Sequence, residues 1–275
     1  MLTSEQIDAL WTIQDPGAGC DRLRQALDEH PESIDELRTQ IARALGLQGR
    51  FAEAWEEIAQ VSSQPSALAA VRRELESGRL RNSSGDRDRA RPCFLQALAL
   101  AEDGGLDFYA VDAAHMLAIV SEDEEAIRWN EKALDLAAKA SDPRARLWKG
   151  SLLNNLGWAW FDRGDFDRAL TAFESALEWQ TAAGDPVRMR VARWTVARCL
   201  RAMQRYDEAL AIQQELSHYP EQGFVSEELG ELLLVLERPE EAKICFAKAY
   251  DLLRARMSAD PTQATRLARL NELSR

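Results

Sequence analysis

The residues of this chain best suited to metal or nucleophilic chemistry are three histidines, His30, His115 and His218, and four cysteines, Cys20, Cys93, Cys199 and Cys245. Their spacing argues against both chemistries. The histidines lie far apart in sequence, and no cysteine forms a CxxC pair or stands at metal-ligand spacing from a histidine. His30 precedes Pro31 and His218 sits near Pro220, which places both at helix ends. The run Glu122-Asp123-Glu124-Glu125 offers oxygen donors, but it suits the first turn of a helix, where negative charge favours the macrodipole. The sequence holds no HExxH, GxSxG, GxxxxGK[ST] or GxGxxG. These absences predict a protein without catalytic residues, metal or cofactor. The cysteines are expected to be small buried hydrophobes with free thiols, which fits a reducing compartment.

The elements that position these residues all read as helix. Apolar residues recur at three and four rather than at two. Leu152, Leu153, Leu156, Trp160 and Phe161 lie on one side of a helix. Gly164-Asp165 breaks it, and Phe166, Leu170, Phe173 and Leu177 resume the pattern on a second helix. Ser141-Asp142-Pro143, Gly184-Asp185-Pro186 and Ala259-Asp260-Pro261 repeat one starting device. Aspartate accepts from the free amides of the first turn, and proline suits the first helical position. Alanines at 54, 90, 126, 169, 209 and 242 recur at gaps of 36, 36, 43, 40 and 33 residues. Most open the same frame, Ala-x3-large-x2-small, as in Ala90…Phe94…Ala97, Ala169…Phe173…Ala176 and Ala242…Phe246…Ala249. A period of this size marks stacked helical hairpins.

At Leu156-Gly157-x2-Trp160…Ala169-x3-Phe173-x2-Ala176 the chain resembles the tetratricopeptide repeat family. Leu229-Gly230-x2-Leu233…Ala242-x3-Phe246-x2-Ala249 follows the same pattern. Gly157 and Gly230 would let the two helices of a hairpin approach closely. Other repeats depart from it: Asn130 and Gln213 stand where the large aromatic belongs, and Pro92 is expected to kink a helix. The resemblance implies an all-α fold, a right-handed superhelical solenoid of about six hairpins. Repeats would start near residues 35, 71, 107, 150, 190 and 223 and fill 35–255. Residues 1–34 would form an N-terminal cap, helical from about Thr3 to Gln14 and Asp21 to His30. Residues 256–275 would hold a capping helix, with Leu267, Leu270 and Leu273 on the last repeat and Arg266, Arg269 and Glu272 facing water.

The resemblance also implies that the first helix of each hairpin lines a concave groove. On that mapping Arg43, Arg79, His115, Asn154, Asn155, Trp158, Trp194, Arg198 and Arg201 are the candidate peptide-binding residues. Tryptophan and arginine dominate binding hot spots, and arginine forks onto carboxylates. In peptide-binding members an asparagine at the sixth position holds the ligand backbone, and Asn155 matches it. A second reading stays open: Arg198 and Arg201 pair with Glu228 or Glu231 of the next repeat, and the tryptophans pack on each other as core.

The net charge of −12 opposes general binding to phosphate backbones, so no nucleic-acid partner is expected. No apolar stretch approaches eighteen uncharged residues and the first residues carry no basic, apolar leader, so no membrane insertion is expected and a cytoplasmic location is. The function expected is a non-enzymatic module holding a peptide or protein segment. Alternatives are a regulatory receptor for a small signalling peptide and a self-assembling structural subunit, with the oligomeric state open.

Overall fold

The computed structural model describes residues 1–220, 223–257 and 260–275, which divide into two compact units, Met1–Leu152 and Leu153–Arg275. Ala259, which opens the third Asp-Pro device, lies outside the described residues. The first unit contains α1 (Ser4–Asp8), α2 (Pro16–Glu29), a 3-10 turn (Pro31–Ser33), α3 (Ile34–Leu47) and α4 (Phe51–Ala59). It continues with α5 (Ala67–Ser83), α6 (Arg87–Asp103), α7 (Asp107–Val120), α8 (Asp123–Lys139) and α9 (Pro143–Arg146). The boundary between the units falls within α10 (Lys149–Asp162). The second unit then holds α11 (Phe166–Ala183), α12 (Pro186–Ala202), α13 (Tyr206–Leu216), α14 (Gly223–Val235), α15 (Pro239–Met257), a 3-10 turn (Pro261–Gln263) and α16 (Ala264–Leu273). In both units successive helices pack antiparallel as hairpins, α5 on α6 and α14 on α15 most extensively.

The recurring frame is the core of each hairpin. Ala54, Ala90, Ala169, Ala209 and Ala242 are completely buried, as are Phe94, Phe173 and Phe246. Ala126 is only half-buried. Each phenylalanine ring lies against a helical glycine of the partner helix. A methyl group at Gly157 would stand 2.5 Å from Phe173, and one at Gly230 would stand 2.6 Å from Phe246. The glycine exists to admit the ring. Where the ring is absent, Ile58 replaces it in the first frame, and in two others the replacements are polar and buried. Asn130 donates to the Ala126 carbonyl at 3.0 Å. Gln213 is fully buried with neither amide atom hydrogen-bonded.

The helix starts follow capping chemistry. Asp142, Asp165 and Asp185 each accept a backbone amide of the next helix's first turn. Asp15-Pro16 does the same for α2, an Asp-Pro start that the sequence reading passed over. Gly164 takes φ +80°, the left-handed turn conformation that glycine adopts at no steric cost. Glu122 to Glu125 form the cap and first turn of α8, and His30 and His218 lie at helix ends.

Several local expectations change. Residues 3–14 are not one helix: α1 ends at Asp8 and Trp11–Asp15 form a turn. Pro92 lies inside α6, which runs unbroken from Arg87 to Asp103. Cys20 and Cys199 are buried but Cys93 and Cys245 are half-buried, and all four thiols are free. Burial pushes the Cys199 thiol up to about 11, so it stays protonated at neutral pH. Arg266 and Arg269 of α16 do not simply face water: they pair with Glu227 and Glu231 of α14.

Candidate functional site

The nine candidate residues fall into two groups. Arg43, Arg79 and His115 belong to the first unit, the other six to the second.

In the first unit the arginines are consumed by an internal charge ladder. Arg43 on α3 reaches Glu76 on α5 at 3.3 Å. Arg79 reaches Glu76 at 2.5 Å and forks onto Asp112 of α7 at 2.5 and 2.6 Å. Glu76 and Asp112 are nearly inaccessible. Burial works against the Asp112 charge, but Arg79 and Arg43 outweigh it and hold the carboxyl below its usual range. Breaking such pairs strands a buried charge, so this ladder ties α3, α5 and α7 together. The His115 ring lies beside Trp148, tilted 58° to it, with ring centres 5.1 Å apart. Burial lowers its pKa, against the pull of Asp112.

In the second unit one face of α12 carries Val187, Val191, Trp194, Arg198 and Arg201, spaced by four and three so that they align. Facing them on α14 are Phe224 and Glu228, while Glu227 and Glu231 of the same helix pair with Arg266 and Arg269 of α16. Trp194 lies between Trp158 and Phe224, each 6.1 Å away by ring centre, and its indole Nε1 donates to the Phe224 carbonyl at 3.3 Å. Trp158 also meets Phe173 edge-on at 5.1 Å. The Arg198 guanidinium sits 5.3 Å from the Trp158 ring and 5.5 Å from the Trp194 ring. Arg201 forks onto the buried Glu228 at 2.7 and 3.2 Å. Arg198 only approaches Glu228 at 3.8 Å, and its buried Nε makes no hydrogen bond.

The internal-pairing reading of this set holds for Arg201 and in part for the rest. Arg201 is a structural partner of Glu228. The tryptophans touch each other yet stay half-buried. Arg198 lies over two aromatic rings and forms a longer ion pair with Glu228, at 3.8 Å. Asn154 and Asn155 precede Trp158 by four and three residues on α10, and the buried Oδ1 of Asn154 has no hydrogen-bond donor.

Beside Trp194 opens a cleft of about 340 Å³ lined by Val187, Arg190, Val191, Trp194, Phe224 and Val225. Val187 and Val191 are 58% and 54% exposed, so this wall meets solvent. Sequence reasoning missed Val187, Val191 and Phe224. The signal was present, because Val191 and Phe224 hold the second groove position of their repeats. Among the described residues no group of three His, Cys, Asp or Glu side chains could hold a metal ion, and no helix is long and apolar enough to cross a membrane.

Residues 150–181 match the tetratricopeptide repeat profile. No curated protein sequence matches the chain. Among solved structures, the chain is similar to a signal-transduction ATPase with numerous domains and a tetratricopeptide repeat sensor from Pyrococcus horikoshii. That likeness has a TM-score of 0.73 at 12% identity, over 95% of this chain and 45% of the other. A tetratricopeptide repeat protein from Parabacteroides merdae gives a TM-score of 0.58 at 15% identity, over 98% of this chain and 96% of the other. NprR in complex with its cognate peptide NprX gives 0.59 at 15% identity, over 98% and 88%. Residues 150–181 thus match one tetratricopeptide repeat, and the chain shares the helical-repeat fold of these tetratricopeptide repeat structures.

Proposed function

We propose that the second unit binds a peptide or protein segment on the face formed by α10, α12 and α14, without catalysis and in the cytoplasm. The observation that carries this reading is the solvent-open apolar cleft, whose valine wall leads to a half-buried tryptophan. Such a patch costs solubility unless something covers it. An apolar side chain of the segment enters beside Val191, Trp194 and Phe224. Arg198 supplies the polar term: stacked between indoles, it presents a cation for a ligand carboxylate. The asparagines of α10 offer amides to the ligand backbone. The fold likeness to a protein solved with its cognate peptide supports the reading.

The test is a displayed random-peptide library panned on the wild type. Selected peptides should lose about 2 kcal/mol, roughly thirtyfold, against Trp194→Ala and against Val191→Asp. Arg198→Ala should weaken chiefly those peptides that carry a carboxylate. Peptides that bind both cleft variants like the wild type would locate the binding surface elsewhere.

A further inference from the structure

The C-terminal helix α16 reaches the back of the cleft beside Trp194 without lining it. Phe224 forms one wall of that cleft, and its ring has neighbours on two other helices. From α12 comes Trp194, with ring centres 6.1 Å apart and planes at 61°. From α16 comes Arg266, whose guanidinium lies over the Phe224 ring at 4.8 Å from its centre.

Glu227, three residues beyond Phe224 on α14, fixes Arg266 in that place. The guanidinium Nε donates to both carboxylate oxygens, at 3.1 and 3.0 Å, and Nη2 donates to one of them. Residues three apart on a helix share a face, so this fork onto Glu227 holds the cation over the ring. The Glu227 side chain is 12% exposed, so the pair is only weakly screened by salt. Phe224 and Leu267 of α16 also pack against one core, built around Phe246, Leu253 and Leu270. A second ion pair joins the same two helices, Arg269 to Glu231, and neither of its residues lines the cleft. Helix α16 supplies no lining residue either, so it acts on a ligand there through Phe224.

We propose, on the reading of this cleft as the binding site, that Arg266 is a positioning residue for it, and that docking of α16 and occupancy of the cleft are coupled through the Phe224 ring. The forked cation holds the ring in one orientation against Trp194. Without it the ring is free to tilt into the space the guanidinium occupied, and the wall of the cleft moves. A ligand side chain seated on Phe224 therefore favours docked α16, and docked α16 favours the ligand by the same factor.

The probe is a fluorescein-labelled peptide from the panned set, one that Val191→Asp weakens, titrated by anisotropy into the full chain. Arg266→Met keeps an apolar stem over the ring but removes the cation and the fork. It should weaken the peptide by roughly tenfold. Arg269→Met removes the companion ion pair between the same helices and should leave the affinity unchanged. Arg266→Lys keeps the charge without the fork and should recover part of the loss. Hydrogen exchange reads the coupling: the peptide should raise protection of residues 264–273 in the wild type and not in Arg266→Met. Wild-type affinity in Arg266→Met overturns the proposal, as does protection of α16 that the peptide leaves unchanged. Equal losses in the two methionine variants also overturn it, since α16 would then act only as a cap. Failure of the cleft as a binding site has a separate signature, namely that no panned peptide distinguishes the wild type from Val191→Asp. In that event para-fluorophenylalanine placed at position 224 decides the role of Arg266. Its fluorine resonance should move in Arg266→Met and stay in Arg269→Met, and a resonance unmoved by Arg266→Met overturns the proposal.

Discussion

Replacing Gly157 by alanine tests the packing rule shared by three hairpins of this protein, in which Phe94, Phe173 and Phe246 meet Gly78, Gly157 and Gly230. In an isolated helix the change would stabilise by about 1 kcal/mol, because glycine is a poor helix former. Here the new methyl group would stand 2.5 Å from two ring carbons of Phe173 and 3.0 Å from a third. Phe173 is completely buried and braced edge-on by Trp158, so the ring has nowhere to swing. Overpacking of this kind costs about 1–3 kcal/mol. The two effects leave a net destabilisation of up to about 2 kcal/mol. A double-mutant cycle isolates the clash. In a Phe173→Leu background part of the obstructing ring is gone, so Gly157→Ala should be less harmful there by at least about 1 kcal/mol. The assay is urea unfolding followed by far-UV circular dichroism, with the slope checked for two-state behaviour. If Gly157→Ala raises stability in the wild-type background, and the cycle shows coupling below about 0.5 kcal/mol, the close approach of helix to ring is refuted.

Three further perturbations follow from the same structure. Gln213→Met puts an apolar side chain where a fully buried amide has no partner, and should stabilise the protein by about 1–3 kcal/mol in the same urea assay. Removing residues 264–275 strips Leu270, which is completely buried, and uncovers the α15 face around Phe246 and Leu253; light scattering should show association that the full chain lacks. His115 is held neutral by burial, with its folded-state pKa below the unfolded one, so its contribution is fully present above the unfolded value and declines as pH falls through it. His115→Gln should flatten the stability profile between about pH 7 and pH 5, and an unchanged slope would show that His115 does not set it.

How far the sequence reaches can be judged residue by residue. Buried alanine and phenylalanine at fixed spacing are local signals, repeated because each hairpin solves the same packing problem, and they are legible without coordinates. The Asp-Pro starts and Gly164 are legible for the same reason: a cap or a left-handed turn depends on neighbours within three or four residues. Trp158, Trp194, Arg198 and Arg201 could be grouped from their repeat positions alone, since adjacent hairpins bring equivalent positions together.

What those side chains do once grouped depends on residues thirty or more positions away. Arg201 hydrogen-bonds Glu228 at 2.7 Å while Arg198, three residues earlier on the same helix, stands 3.8 Å from it, a difference set by side-chain geometry across two helices. Arg43 and Arg79 read from sequence as ligand-binding cations, yet Glu76 and Asp112 take up their hydrogen bonds. Residues 3–14 read from sequence as one helix, yet α1 stops at Asp8, and its Ser4 and Asp8 side chains accept from Arg72 of α5, more than sixty residues away. The sequence by itself determined the helical hairpins and their starts, because those rest on short-range sterics and capping. Only the tertiary structure decided which charges are spent internally and which surface stays open, because the pairing of buried charge is settled between helices and not along them.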